Sequence, residues 1–408
     1  MNSIFFKNLK KVFGFSLIGQ VIPIMITPFL TRIYDEVDFG YYSIFLSVVT
    51  IISILFSLRL DFSVFVTKTE EETYSILNAV LSLQIPFLLL TYVFCFILYI
   101  CDFVKEENHY LYFLAPITGS LMAVFNTKLQ VENKHSRYNR FVLLKTLQPV
   151  MSNLFMLIIG VLIYSNLGQV YSLVLTFIII GSWIVYDSLK NYSLLNFLST
   201  LLKYKRFIIY SLPADMLNAL NNIGYPMLLA FFFPLKLIGI YFLALKIVRL
   251  PLTVIFNSIS TVYNQESSDL IKNGDYNSLR LLTYNLQKKI TIYLIPLLII
   301  ITLFSPFLFE IAFGETWRAS GEMIKYFVIF IFFNGIYSPI SQIGNLLHKQ
   351  NILLLFNFSL IMCTVLALLI FDLEFNIMLL VISIIGSLHF LILNYYMNSV
   401  IRKLCRNN

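Results

Sequence analysis

From about residue 12 to residue 398 one pattern recurs: an apolar stretch of about 20 residues, then a short polar connection. A helix rises 1.5 Å per residue, so a stretch of that length crosses the roughly 30 Å hydrocarbon core of a bilayer. Twelve such spans are expected, at about 12–33, 41–62, 76–100, 110–128, 141–163, 170–189, 208–232, 238–262, 289–312, 323–346, 352–371 and 376–398. Inside lipid every backbone polar group must find a partner, and a continuous apolar run of this length does so as a helix. The expected fold class is an all-α polytopic membrane protein. Composition agrees, because only 12% of the 408 residues are charged, about half the usual share of a soluble domain.

Lysine and arginine collect in the cytoplasmic connections of membrane proteins. Twenty-one of the 29 fall in the termini and loops of one side, and only Lys105, Lys236 and Arg318 fall in the alternate loops. The other five, Arg32, Lys145, Lys246, Arg249 and Lys325, lie in or at the ends of spans. This asymmetry places both termini in the cytoplasm, and it accounts for the net charge of +8 without invoking nucleic acid. Lys7, Lys10 and Lys11 lead straight into a full-length span with no short apolar region and cleavage site, so the first span is expected to stay. The outer loops are short, about eight residues at most from Asp102 to His109, while the longest inner connection, 263–289, is expected to hold a short amphipathic surface helix. The four cysteines and four histidines are scattered without metal-ligand spacing.

The halves resemble each other. Ser16, Gln20, Pro23, Thr27 and Thr31 in span 1 and Ser211, Asp215, Asn218, Asn222 and Pro226 in span 7 follow the same helical steps. Each set makes a polar, proline-containing stripe along one face. A glycine followed by aromatic residues opens the next span in both halves, at Phe39 to Tyr42 and at Ile238 to Tyr241. Spans 4 and 10 end in comparable polar tails, Gln130 to Lys134 and Asn345 to Lys349. The repeat divides the chain into 1–200 and 201–408, six spans each. An even number of spans gives the halves the same orientation, related by an axis along the membrane normal, with the substrate site expected at their interface near the midplane.

Lys246 and Arg249 stand near the middle of span 8, three residues apart on one face that continues through Thr253, Asn257 and Ser260. Each costs about 2.5–3.5 kcal/mol at mid-bilayer. Two readings account for that cost. Either the charges face a watery interior and meet an anion, or they pair with acids on neighbouring helices. Arg59 and Asp61 lie at the inner end of span 2, as a site or as an interfacial pair. Lys145 shares a face with Gln148 and Ser152 and either lines the interior or snorkels. Asp215, just after Pro213, either pairs with a cation or couples protons. Among these interior groups Arg32, Arg59, Lys145, Lys246 and Arg249 outnumber Asp61 and Asp215. A cationic interior suits phosphate, which arginine binds bidentately and lysine as a point charge.

Gly19 to Pro23, Pro28 to Tyr34, Asp38 to Tyr42 and Arg59 to Asp61, together with Tyr241 to Pro251, resemble the polysaccharide-unit flippases of the Wzx type. These belong to the multidrug/oligosaccharidyl-lipid/polysaccharide exporter superfamily. The resemblance implies two six-helix bundles around a central cavity in a bacterial cytoplasmic membrane. It implies a lipid-linked oligosaccharide on undecaprenyl pyrophosphate as substrate, turned from the cytoplasmic to the periplasmic leaflet. It implies substrate-binding roles for Arg32, Arg59, Lys145, Lys246 and Arg249, and a polymerase with its chain-length machinery as partners; charge pairing or ion coupling at Asp61 and Asp215 is read from their positions alone. No cofactor is expected beyond a coupling ion, Na+ or H+. Two other readings compete. A drug exporter of the same superfamily favours organic cations and usually carries an acid in its first helices, which span 1 lacks. A polytopic polymerase needs a large outer loop, and none is present in the expected topology.

Overall fold

The computed structural model describes residues 19, 21–101, 109–135, 137–163, 165–189, 197–347 and 349–407. Ser16, Gln20, the three N-terminal lysines and most of the outer loop from Asp102 to His109 lie outside the described residues. Among those described, the fold is all-helical. The principal helices are α1 (Val21–Leu30), α2 (Glu36–Ser57), α3 (Glu70–Ile100), α4 (His109–Lys134), α5 (Tyr138–Ile163), α6 (Gly168–Leu189), α7 (Leu212–Asn222), α8 (Leu235–Lys272), α9 (Tyr276–Phe313), α10 (Arg318–Tyr337), α11 (Gln350–Ile370) and α12 (Phe375–Asn407). Among the described residues, nine helical segments are long and apolar enough to cross a membrane. The other three expected spans fall on α1, on the more polar α4 and on α7, so the protein is a multi-pass membrane protein.

Local chemistry sets the boundaries. Asp35 caps α2 by accepting from the Asp38 backbone N–H at 2.9 Å, and the Asp38 carboxylate accepts from the Asp35 N–H at 3.1 Å, which closes a reciprocal capping box. Thr69 caps α3 by accepting from the Glu72 backbone N–H at 3.2 Å, and the Glu72 carboxylate accepts from the Lys68 N–H. The seventh expected span is broken. Proline at 213 has no N–H and crowds the carbonyl four residues back, and the turn Phe207–Ser211 before it widens into a π-helix. The chain breaks again at Ile223 and Gly224, and Tyr225–Leu229 starts afresh with Pro226 in its first turn.

The expected surface helix in 263–289 is absent as a separate element. Instead α8 runs on to Lys272 and α9 starts at Tyr276, each 38 residues long. At 1.5 Å per residue that is about 57 Å, well beyond the bilayer core. Gly274 reverses the chain at φ 72°, and Asp275 caps α9 by accepting from the Ser278 N–H at 3.0 Å. Bonding from Ser278 holds the Asp275 carboxyl below its ordinary value. The amphipathic period expected of a surface helix is met by burial of Tyr263 and Leu279 against Ile340, Ile343, Met397 and Ile401.

Packing divides the chain into two compact units, 1–239 and 240–408. In the first, α4 packs against α2, α3 and α6, α5 packs on α6, and both pieces of the seventh span lie on α2. In the second, α10 lies against α9 and α12, and α11 packs on α12.

Candidate functional site

The inner end of α2 has an unusual backbone. Leu58 and Arg59 both lie in the left-handed region, at φ 47° and 59°, without a glycine. Such residues carry roughly 1–3 kcal/mol of strain each, and they persist where surrounding contacts over-determine them. Here the contacts are visible. The Arg59 N–H donates to the Ser57 hydroxyl at 3.2 Å, and the short helix Leu60–Ser63 starts at once. The Arg59 side chain is turned onto α7. Its Nε donates to Asp215 Oδ2 at 2.6 Å, its Nη1 donates to Asp61 Oδ2 at 3.3 Å, and its guanidinium lies 4.0 Å from the centre of the Phe62 ring. Asp61 is 3% exposed, and its Oδ1 has no hydrogen-bond partner among the described residues.

Three of the seven residues singled out from sequence therefore meet in one place. One guanidinium serves two carboxylates, so the cluster carries a formal charge of −1. It ties the end of α2 to the start of α7, within the first unit. Asp215 is paired.

The other four are separate. Arg32 is exposed in the turn after α1. Lys145 is exposed on α5, its ammonium 5.5 Å from the Phe141 ring. Lys246 and Arg249 are half-buried on α8, in the second unit. Arg249 stacks over Phe330 of α10 at 5.8 Å. Leu245, Val248, Leu252 and Phe256 bury the side of α8 that borders the stripe at Arg249, while Thr253 and Asn257 stay exposed. The polar stripe expected on this helix thus runs from half-buried Lys246 and Arg249 to exposed Thr253 and Asn257.

A second ionic cluster was not anticipated. Lys128, counted by sequence in an inner loop, is inside α4 and 6% exposed. Its ammonium donates to Asp187 of α6 at 3.2 Å and lies 3.4 Å from Glu132, one turn on. Glu132 is fully buried. The signal in the sequence was the polar tail Gln130 to Lys134, whose Lys128 and Glu132 stand four apart and so share a helix face. In the second unit, Gln287 of α9 joins Asn394 and Asn398 of α12 in an amide network. Among the described residues no group of three or more His, Cys, Asp or Glu is placed to hold a metal ion.

Long apolar helices and a broken seventh span define a multi-pass, all-helical membrane protein, and comparison with solved structures agrees in fold. The chain is similar to the lipid II flippase MurJ in an inward closed conformation, with a TM-score of 0.69 at 14% identity, covering 100% of this chain and 90% of that one. It is similar to a MOP superfamily transporter from Pyrococcus furiosus, with a TM-score of 0.60 at 11% identity, covering 97% and 95%. It is also similar to an outward-facing multidrug resistance MATE family transporter of that superfamily, with a TM-score of 0.59 at 12% identity, covering 97% of each chain. No curated protein matches its sequence significantly. The sequence matches the family described as polysaccharide biosynthesis protein over residues 29–322, and the chain belongs to that family.

Proposed function

We propose that the protein is a flippase for an undecaprenyl-pyrophosphate-linked oligosaccharide repeat unit. It carries the unit from the cytoplasmic to the periplasmic leaflet of a bacterial cytoplasmic membrane by alternating access, with both termini cytoplasmic. Family membership and the MurJ-like fold support a lipid-linked saccharide as substrate. The observation that carries the reading is the stripe on α8: two half-buried cations followed by an exposed threonine and asparagine, on a helix long and apolar enough to cross the membrane. Charges at membrane depth face water or a partner, and they mark substrate paths. Lys246 and Arg249 hold the pyrophosphate or an acidic sugar, assisted by Arg32 and Lys145. Arg59 reaches the substrate by exchanging Asp215 for a phosphate oxygen. A polymerase and its chain-length machinery take up the product. The sequence repeat, 1–200 and 201–408, supplies the two six-helix halves.

Deleting the gene tests the reading. Undecaprenyl-linked oligosaccharide should accumulate on the cytoplasmic leaflet. A deletion strain with a normal outer-leaflet pool overturns it. The surplus carboxylate of the Arg59 cluster favours a second reading, export of an organic cation, and that reading gains if deletion instead raises the cytoplasmic retention of cationic dyes.

A further inference from the structure

The polar stripe of α8 changes character along its length. Lys246 and Arg249 carry its two charges, and from Leu250 to Gln265 the helix has no charged side chain. Over that stretch the same face continues through Thr253, Asn257, Ser260 and Asn264. At 1.5 Å per residue, Thr253 stands about 6 Å and Asn257 about 12 Å along the axis from Arg249.

The side-chain amide of Asn257 is exposed and makes no hydrogen bond among the described residues. Ile255 and Val262, which bracket it in depth on the other side of the helix, are 50% and 57% exposed and suit lipid. At a depth where one side of α8 suits hydrocarbon, an amide with two donors and one acceptor left over is costly unless water or a ligand meets it. Its neighbours have matching capacity to spare. Thr253, also exposed, donates to the Leu250 carbonyl at 2.8 Å, which leaves its oxygen to accept. Half-buried Ser260 accepts from the Asn264 amide at 3.2 Å, which leaves its own O–H to donate. The side-chain carbonyl oxygen of Asn264 is buried without a hydrogen-bond partner among the described residues.

Donors and acceptors interspersed without a charge match the hydroxyls of a sugar, each of which both donates and accepts. A sugar acid would instead bring a carboxylate onto a stretch that offers no cation, and an unpaired charge is far more costly there than an unpaired hydroxyl. We propose that Thr253, Asn257, Ser260 and Asn264 form a sugar subsite beside the two cations of α8, and that it takes a neutral sugar. This assignment rests on the flippase reading above and narrows its substrate. The pyrophosphate meets Lys246 and Arg249, and the sugar attached to it lies against Thr253 and Asn257. Asn257 bridges neighbouring hydroxyls, its N–H groups donating and its carbonyl accepting.

The test is equilibrium binding to the purified full-length protein with three probes: undecaprenyl pyrophosphate alone, the same lipid bearing one N-acetylglucosamine, and the same lipid bearing one glucuronic acid. The wild type should bind the neutral-sugar lipid about tenfold more tightly than the bare lipid, the worth of one or two neutral hydrogen bonds. It should bind the glucuronic acid lipid no more tightly than the bare one. Asn257→Leu should abolish the preference and bind the bare lipid as the wild type does. Thr253→Val should lose part of the preference, and it carries the test if Asn257→Leu does not fold. No preference in the wild type, an undiminished preference in the variants, equal losses for the bare and neutral-sugar lipids, or tighter binding of the glucuronic acid lipid would each overturn the subsite while leaving the flippase reading standing. Folded wild-type protein that binds none of the three lipids overturns both.

Discussion

Gly40 and Gly239 face each other where the start of α2 crosses the start of α8, inside the first unit. A Cβ on Gly40 would run into the carbonyl of Leu235, one turn before Gly239. A Cβ on Gly239 would run into the carbonyl of Glu36, one turn before Gly40. The contact is reciprocal, and both glycines are those that open the repeated aromatic motif.

Because backbone blocks each position, alanine cannot be absorbed by a rotamer change. Gly40→Ala and Gly239→Ala should each cost about 1–3 kcal/mol, the usual penalty of overpacking. Thermal unfolding of the purified protein in detergent measures this. An unchanged midpoint for both variants would show that the helices separate freely at this crossing.

Arg59 and Asp215 should be energetically coupled. A double-mutant cycle with Arg59→Ala and Asp215→Ala is expected to give an interaction of about 0.5–3 kcal/mol. Arg59→Ala should be the more damaging single change, since it also strands buried Asp61, and loss of one partner of a buried pair costs up to about 3–5 kcal/mol. Additive single effects in chemical denaturation would mean that the pair does not hold α2 to α7.

Fusions of a reporter active only in the periplasm give the topology. Activity is expected at Tyr171, Lys236 and Phe375, and none at Lys134, Tyr204 and Asn273. The charge asymmetry motivates this assignment. Activity at Tyr204 with silence at Tyr171 would invert it.

Much of this architecture was legible because lipid makes apolarity and helicity nearly the same statement. The helices α2, α3, α5, α6 and α8 to α12 follow directly from apolar length. The extensions of α8, α9 and α12 beyond their expected spans did not, because Tyr263, Leu279 and Met397 find cover from one another rather than from lipid. The break around Pro213 and Gly224 was visible as residues but not as a π-turn, which depends on how the ladder relaxes. In the site, Arg59, Asp61 and Asp215 were singled out one by one. That a single guanidinium joins all three depends on a left-handed turn at Leu58 and Arg59 that no glycine announces. Lys128 was missed because a charge at the end of an apolar run looks like the start of a loop, whereas α4 continues for almost two more turns to Lys134.

The charges on α8 carry the functional reading, and their substitution separates it from a purely structural role. If positive charge attracts the anionic head of the substrate, Arg249→Lys keeps part of the transport, because the point charge survives while the bidentate fork is lost. Lys246→Arg should be near neutral. Arg249→Ala should lose most of the activity and Arg249→Glu all of it. Each interaction between a charged donor and phosphate is worth about 1.5–3 kcal/mol, so Arg249→Ala should lower transport roughly ten- to hundredfold. Were the two residues only props for the bundle, alanine at either site would lower the amount of folded protein instead. Transport of the lipid-linked unit is therefore measured together with membrane abundance. Lost transport at normal abundance supports a substrate role. Normal transport at normal abundance in the double variant Lys246→Ala, Arg249→Ala would remove both residues from the mechanism, and with them the main physical argument for an anionic cargo.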